Sequence, residues 1–154
     1  MTQRLFPLFI DLSQIKITIF GAGAVAYRKA KRILEYGGNL RIISPEIREP
    51  QFQYLQLDYP RLIIEQREVD FEQDFYNCSL IIAATDNIEF NQQVVDYCQQ
   101  KSILVNNATS KSAMSASFAC SLELAETSIA IHSNGHPKQS LALREQIKII
   151  LGAK

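Results

Sequence analysis

Gly21, Gly23 and Ala26 fall on the spacing G-x-G-x-x-[G/A] within the stretch Ile15 to Ala30, IKITIFGAGAVAYRKA. The chemistry this pattern supports is the binding of a pyrophosphate. The first glycine permits a tight turn, and the second lets the backbone approach a phosphate closely. The small third residue lets a helix pack tightly on a strand. A helix beginning there presents unpaired N–H groups and the positive end of its dipole to an anion. Small residues in this pattern also serve plain strand–helix packing, so the context decides. Ile15, Ile17, Ile19 and Phe20 supply a strand before the turn. Ala26, Ala30, Ile33 and Leu34 follow it at helical spacing, giving one core face. Gly37-Gly38 is a natural stop for that helix.

Other residues of chemical interest lie near this turn or far along the chain. Arg28, Lys29, Lys31 and Arg32 lie largely off the helix core face. They read either as a solvated surface or, for Arg28 and Lys29, as cations one turn from the phosphate site that meet an anionic substrate. A ribose-binding acid is expected about 20 residues after the turn, where Ser44 stands, with Glu46 two residues on. Arg41 and Arg48 are nearby and leave a 2′-phosphate open. The reading adopts NAD. Cys78, Cys98 and Cys120 are widely spaced and odd in number, and read as buried thiols. His132 reads as a structural or turn residue and His136 as a candidate functional one. Two histidines flanking Asn134-Gly135 make no convincing metal site, so no metal is assigned.

Composition limits the rest. The chain has 154 residues, 47% of them hydrophobic and 21% charged, enough for an ordinary globular domain. Sixteen basic residues balance 16 acidic ones, which argues against a general nucleic-acid binder. No apolar run reaches the roughly 18–20 residues of a membrane span. MTQRLFPLFIDL carries Asp11 in a short apolar run and is not expected to be a signal peptide, so a cytoplasmic protein is expected.

The elements that must position these residues can be read in order. Leu5 to Leu12, with Pro7, is an edge strand or extended lead-in. Strands are expected at Leu40–Ser44, Leu62–Gln66, Leu80–Thr85 and Ile103–Asn106, after the first at the glycine turn. Phe52–Tyr59 reads as a short helix or loop, and Asp70–Tyr76 as an acidic connection. LIIAAT, residues 80–85, is the continuous apolar run of a parallel strand covered on both faces. Asp86-Asn87 should cap a helix over about 88–100, with Phe90, Val94, Tyr97 and Cys98 facing the core. Strands alternating with amphipathic helices give a Rossmann-type, doubly wound parallel α/β sheet. After a polar loop, Asn107 to Ser117, two strands over 118–124 and 128–133 should pair as an antiparallel hairpin. Asn134-Gly135-His136-Pro137 is a turn. A last helix over 139–151 should bury Leu143, Ile147, Ile150 and Leu151. The expected division is a nucleotide-binding domain over 1–112 and a β-hairpin and helix region over 113–154.

FPLFIDL, IFGAGAVAYRKAKRILEYGG, RIISPEI, LIIAATDNIEFNQQV and ILVNN, in that order, resemble the precorrin-2 dehydrogenases, including the N-terminal part of sirohaem synthases. The elements Val25–Ala30 (V-A-x-R-K-A) and Ala83–Asn91 (AATD-x-x-x-x-N) are the most distinctive. The likeness is close over residues 5–107 and looser beyond, where IAIHSNGHP and LALREQI keep the family's shape. It implies hydride transfer from a reduced tetrapyrrole to NAD⁺, giving sirohydrochlorin, and some members of the family also insert Fe²⁺. It further implies a homodimer built through the small β region, which in the family is followed by a helical tail.

The resemblance also assigns roles. Gly21, Ala22, Gly23, Ala24 and Val25 would cradle the pyrophosphate. Ser44, Pro45 and Glu46 would flank the adenosine ribose. Ala84, Thr85 and Asp86 would border the nicotinamide side. Asn106, Asn107 and Thr109 would line the reaction cleft, with Asn107, Thr109 and His136 as candidate catalytic groups. Arg28, Lys29, Lys111 and Lys138 would face the substrate's carboxylates. The family commonly carries N-V-[VA]-D after the fifth strand, and here the run is Asn106-Asn107-Ala108-Thr109. Thr109 replaces the aspartate and cannot serve as a carboxylate base or metal ligand. Either the hydride transfer needs no base there, or another group such as His136 substitutes, or the activity is lost. The first reading is therefore a dehydrogenase without chelatase activity. The second is a non-catalytic nucleotide- or tetrapyrrole-binding protein acting through a partner in haem metabolism. A nucleotide-sensing domain of the kind attached to ion channels fits less well, because those usually keep the acid after the second strand.

Overall fold

The structure, a computed structural model, describes residues 5–110 and 112–152. Phe9–Ala116 forms one compact unit, and residues 117–152 with 5–8 form a second.

The first unit is a five-stranded parallel sheet. Its strands are β1 (Lys16–Phe20), β2 (Asn39–Ile43), β3 (Ile63–Glu65), β4 (Leu80–Ala83) and β5 (Leu104–Asn107), in the spatial order β3-β2-β1-β4-β5. The order reverses between β1 and β4, and open α/β sheets bind ligands at that point, beyond the strands' carboxyl ends. All four residues of β4 are buried, as an apolar run covered on both faces requires.

Helix α1 (Ala24–Glu35) buries the expected face, Ala26, Ala30, Ile33 and Leu34. It closes where the Gly37 and Gly38 amides donate to the carbonyls of Leu34 and Ile33, at 2.9 and 3.0 Å. Residues 52–59, ambiguous in sequence, form α2 (Phe52–Asp58), with Phe52 and Leu55 inward. Helix α3 (Ile88–Gln100) is capped by Asn87, whose side-chain oxygen accepts from the Phe90 amide at 2.9 Å. Its core face differs from the expected one. Asn91, Val94, Val95 and Cys98 are buried, whereas Phe90 and Tyr97 are only partly so. Those two rings sit in an aromatic cluster with Phe20, Phe71 and Phe75, supplied largely by the irregular β3–β4 crossover. Apolar periodicity alone could not show that the polar Asn91 occupies the helix's innermost line.

The second unit carries the antiparallel hairpin of β6 (Cys120–Glu123) and β7 (Ser128–Ile131), followed by α4 (Pro137–Leu151). Proline at its first position starts α4 two residues earlier than expected. Its expected apolar face is not buried. Ser140 is the buried residue of the helix, Leu143 and Leu151 are exposed, and Ile150 is 81% exposed. A two-stranded hairpin presents too narrow a surface to cover a helix of this length. Of the two readings for the N-terminal stretch, the extended lead-in holds: no strand forms over 5–11, where Phe6, Leu8 and Phe9 are exposed and the chain leads into a single turn at Leu12–Gln14 capped by Asp11. The reading of the cysteines is corrected. Of the three cysteines, Cys98 is buried, while Cys78 and Cys120 are half-buried. Among the described residues, no helix is long and apolar enough to cross a membrane.

Candidate functional site

A groove of about 320 Å³ opens at the carboxyl ends of β1, β2 and β4. The glycine turn forms its floor. Gly21 has φ of +104°, and a Cβ placed on it would lie 2.4 Å from the Ala84 carbonyl oxygen. Only glycine lets the end of β1 lie this close to the end of β4. Gly23 differs. Its backbone is ordinary and extended, with φ of −93°, and a Cβ there would meet nothing within 4 Å. The fold places no steric demand on Gly23, and the space above it is free of protein atoms. Gly23 is also the N-cap of α1 and supplies no side-chain cap, so the first-turn amides face that space uncapped.

The loop after β2 is fastened to this floor by its main chain. The amides of Arg48 and Glu49 both donate to the Ala22 carbonyl, at 3.1 and 3.0 Å. Ser44 donates its hydroxyl to the Glu46 carbonyl at 2.8 Å, shaping the turn that carries Pro45 and Glu46 into the groove. Arg48 reaches across, pairing with Glu46 at 2.8 Å on its own loop and with Asp86 on the loop after β4. Glu46 and Asp86 both raise the Arg48 pKa, Glu46 the more strongly.

The outer wall comes from the β3–β4 crossover, which contributes Glu68 and Val69. A buried carboxylate holds that crossover. Asp74 is fully buried and accepts two hydrogen bonds from the Arg67 guanidinium, at 2.8 and 2.7 Å, and one from the Asp70 amide at 2.7 Å. Arg41 lies 3.4 Å from the same carboxylate and donates to the Asp74 carbonyl at 3.0 Å. Glu65 pairs with both arginines. Burial works against an ionised Asp74, but the Arg67 and Asp70 hydrogen bonds and the arginine charges outweigh it, and its pKa falls below the usual carboxylate value.

Asn91 knits the far side. Its amide nitrogen donates to the Thr85 carbonyl at 2.9 Å and to the Thr109 hydroxyl at 3.3 Å, and its oxygen accepts from the Thr85 hydroxyl at 2.7 Å. The Asn107 oxygen in turn accepts from the amide and hydroxyl of Thr109, at 3.0 and 2.8 Å. The loops after β4 and β5 are thus joined by one chain of side-chain hydrogen bonds. Thr109 is placed as a link in that chain.

Of the residues singled out by sequence, the groove brings together Gly21, Ala22, Gly23, Ser44, Pro45, Glu46, Ala84, Thr85 and Asp86. Ala24 and Val25 begin α1 and are exposed. Arg28 is exposed one turn on. Lys29 is half-buried, and burial together with the neighbouring Arg28 charge lowers its pKa to about 8. Asn106 and Asn107 are buried on β5, and Thr109 follows exposed; none of the three lines the groove. Lys111 lies outside the described residues. His136 and Lys138 belong to the second unit, at the start of α4. There His132 Nε2 and the Ser117 hydroxyl are 2.9 Å apart. Sequence reasoning missed Glu68 and Val69, which carry no motif. It also left Asn91 without a role, although Asn91 closes the AATD-x-x-x-x-N element.

Residues 8–119 match a family described as "Putative NAD(P)-binding". The precorrin-2 dehydrogenase of Bacillus subtilis is 33% identical over 90 residues, covering 58% of this chain and 54% of that protein. The siroheme synthase of Pseudomonas fluorescens is 29% identical over 133 residues, covering 86% of this chain and 28% of that protein. The chain thus spans about half the length of the first relative and less of the second. Among solved structures, SirC, a precorrin-2 dehydrogenase, superposes with a TM-score of 0.75 at 22% identity, covering 94% of this chain and 70% of that one, a likeness of fold. The chain belongs to this NAD(P)-binding family and is similar in sequence to precorrin-2 dehydrogenases and siroheme synthases.

Proposed function

We propose that this protein is an NAD-dependent precorrin-2 dehydrogenase that forms sirohydrochlorin and has no chelatase activity. The observation that carries the reading is Gly23, a glycine required by neither its dihedral angles nor its neighbours, beside an uncapped helix start. When bound, the nicotinamide supplies the hydride acceptor. The chain's own residues bind and orient. The turn Gly21–Val25 holds the pyrophosphate on backbone amides, and Ser44, Pro45 and Glu46 flank the ribose. Ala84, Thr85 and Asp86 border the remaining length, kept in place by Asn91. The substrate loses a hydride and a proton, and the proton passes to solvent without a carboxylate at position 109. The Thr109 hydroxyl is engaged with Asn107 and Asn91, so it is read as a structural link rather than a base or a ligand for iron.

NAD⁺ is favoured over NADP⁺ because Arg41, on β2, and Arg67, just after β3, are engaged with Glu65 and Asp74. Arg28 and Lys29, on α1 one turn beyond the phosphate turn, are assigned to the carboxylates of the tetrapyrrole. A homodimer formed through the hairpin and α4 is supported by the exposed Leu141, Leu143, Ile149 and Ile150, and light scattering would measure its mass. The test of the reaction is to supply purified protein with precorrin-2 and NAD⁺ and follow NADH and sirohydrochlorin absorbance. Nucleotide binding without turnover rejects the enzyme and favours a non-catalytic binding protein.

A further inference from the structure

Arg48 stands where a phosphate on the adenosine ribose would need a cation, because the loop after β2 is where Rossmann-type sheets read the ribose 2′ position. It lines the groove and is exposed, as are Glu46 and Asp86, at 59%, 65% and 83% of their side-chain surface. Its guanidinium is nevertheless already ion-paired twice, through Nε to Glu46 and through Nη1 to Asp86. Two carboxylates against one guanidinium leave this cluster with a net negative charge, and Glu68 adds another carboxylate to the same groove. An incoming 2′-phosphate, itself carrying more than one negative charge, would compete with both carboxylates for Arg48 and remain beside them. A plain ribose hydroxyl meets no such repulsion, and Glu46 can accept its hydrogen bond.

We infer that Glu46 and Asp86 set the nucleotide preference by holding Arg48 between them, and that Arg48 is a latent 2′-phosphate site which their removal uncovers. The inference rests on the cofactor reading above and deepens it. Specificity here lies in occupying a cation already present, in contrast to sites that simply lack one. Rejection of the wrong ligand by a built-in repulsive element is a general device of specific sites. The carboxylates come from two different loops, so each should contribute separately. Because the cluster is exposed, the effect should weaken as salt is raised.

The experiment measures dissociation constants for NAD⁺ and NADP⁺ by calorimetry with the whole chain at two salt concentrations. The proteins are wild type, Glu46→Gln, Asp86→Asn, the double variant, and the double variant with Arg48→Ala. The expected result is a wild-type preference for NAD⁺ and a stepwise rise in the NADP⁺-to-NAD⁺ affinity ratio. The rise should reach at least tenfold in the double variant and be cancelled by Arg48→Ala. NAD⁺ binding with an unchanged ratio in the double variant overturns the inference alone, as does a gain that persists without Arg48. Failure of wild type to bind either nucleotide overturns the cofactor reading and the inference with it. Neutralising exposed side chains leaves the fold undisturbed, and melting curves on each variant establish that.

Discussion

Replacing Gly23 with threonine separates a fold requirement from a ligand requirement. Threonine and glycine are near equals as helix N-caps, so the start of α1 should hold. The backbone there is extended, and a Cβ would touch nothing within 4 Å. Stability should therefore change by no more than about 0.5 kcal/mol, or about 2 °C in melting temperature. Gly21→Ala is the contrasting control. A side chain at φ of +104° costs about 1–2 kcal/mol by analogy with left-handed backbone, and the 2.4 Å approach to the Ala84 oxygen forces a further shift of similar cost. The sum is roughly 3 kcal/mol, a fall in melting temperature of about 6–12 °C. For NAD⁺ the effect of Gly23→Thr is large. Pushing the pyrophosphate off the helix start loses one or two charge-assisted hydrogen bonds, about 2–4 kcal/mol, or roughly 30- to 700-fold in affinity. Calorimetry with NAD⁺ and a thermal melt on the same samples measure both. Gly23→Thr binding NAD⁺ within threefold of wild type would refute the placement of the phosphate. Gly23→Thr melting as low as Gly21→Ala would refute the steric argument.

Asp74→Asn leaves Arg67 and Arg41 without their buried partner and should cost about 3 kcal/mol, read by urea denaturation. Since the Asp74 pKa is lowered in the folded state, its contribution is present above the unfolded carboxylate value of about 3.9 and is lost as pH falls through the lower folded value. The gap between wild type and Asp74→Asn should therefore hold from pH 5 to 7 and close on further acidification. Lys29→Met should stabilise the protein by roughly 1–2 kcal/mol at pH 7, because the folded pKa of about 8 lies below the ordinary 10.5. Between those values the folded state binds fewer protons and wild type gains stability with pH, so the advantage of the variant should fade by pH 10.5. Burial, with a smaller contribution from Cys78, raises the Cys98 thiol pKa to about 12. Thiol-specific labelling of native protein at pH 8 should spare Cys98, which should react only on unfolding.

The parts of the fold written in local pattern were legible. β1, α1, β4 and α3 each carry an apolar period or run bounded by a turn or cap, and Gly21, Gly23 and Asn87 mark their ends. The groove residues at the carboxyl ends of β1, β2 and β4 followed from sheet topology once those strands were placed. What was not legible depends on distant pairing. Asp74 sits in an irregular acidic stretch, and nothing local shows that Arg41 and Arg67 converge on it. Val69 and Glu68 line the groove from the same crossover that this ion-pair network fastens. Asn91 stands out in sequence only as the end of the AATD-x-x-x-x-N element, and its role depends on Thr85 and Thr109 lying on either side of it. The apolar line of α4 was legible as a pattern but misleading about burial, since periodicity shows which face is apolar and not whether the chain supplies a surface to cover it.

The two amides that grip the Ala22 carbonyl belong to Arg48 and Glu49, and both act through main chain. Geometry and selectivity are therefore written in separate layers of the same loop. Side chains at 46 and 48 can be exchanged without loosening the glycine turn, so the proposed cofactor preference should be editable by point substitution. Inserting or deleting a residue between Ser44 and Glu49 would shift both amides off their acceptor and deform the cradle whatever its sequence. Transplanting a cofactor loop from another protein onto this chain should therefore succeed only when loop length is conserved.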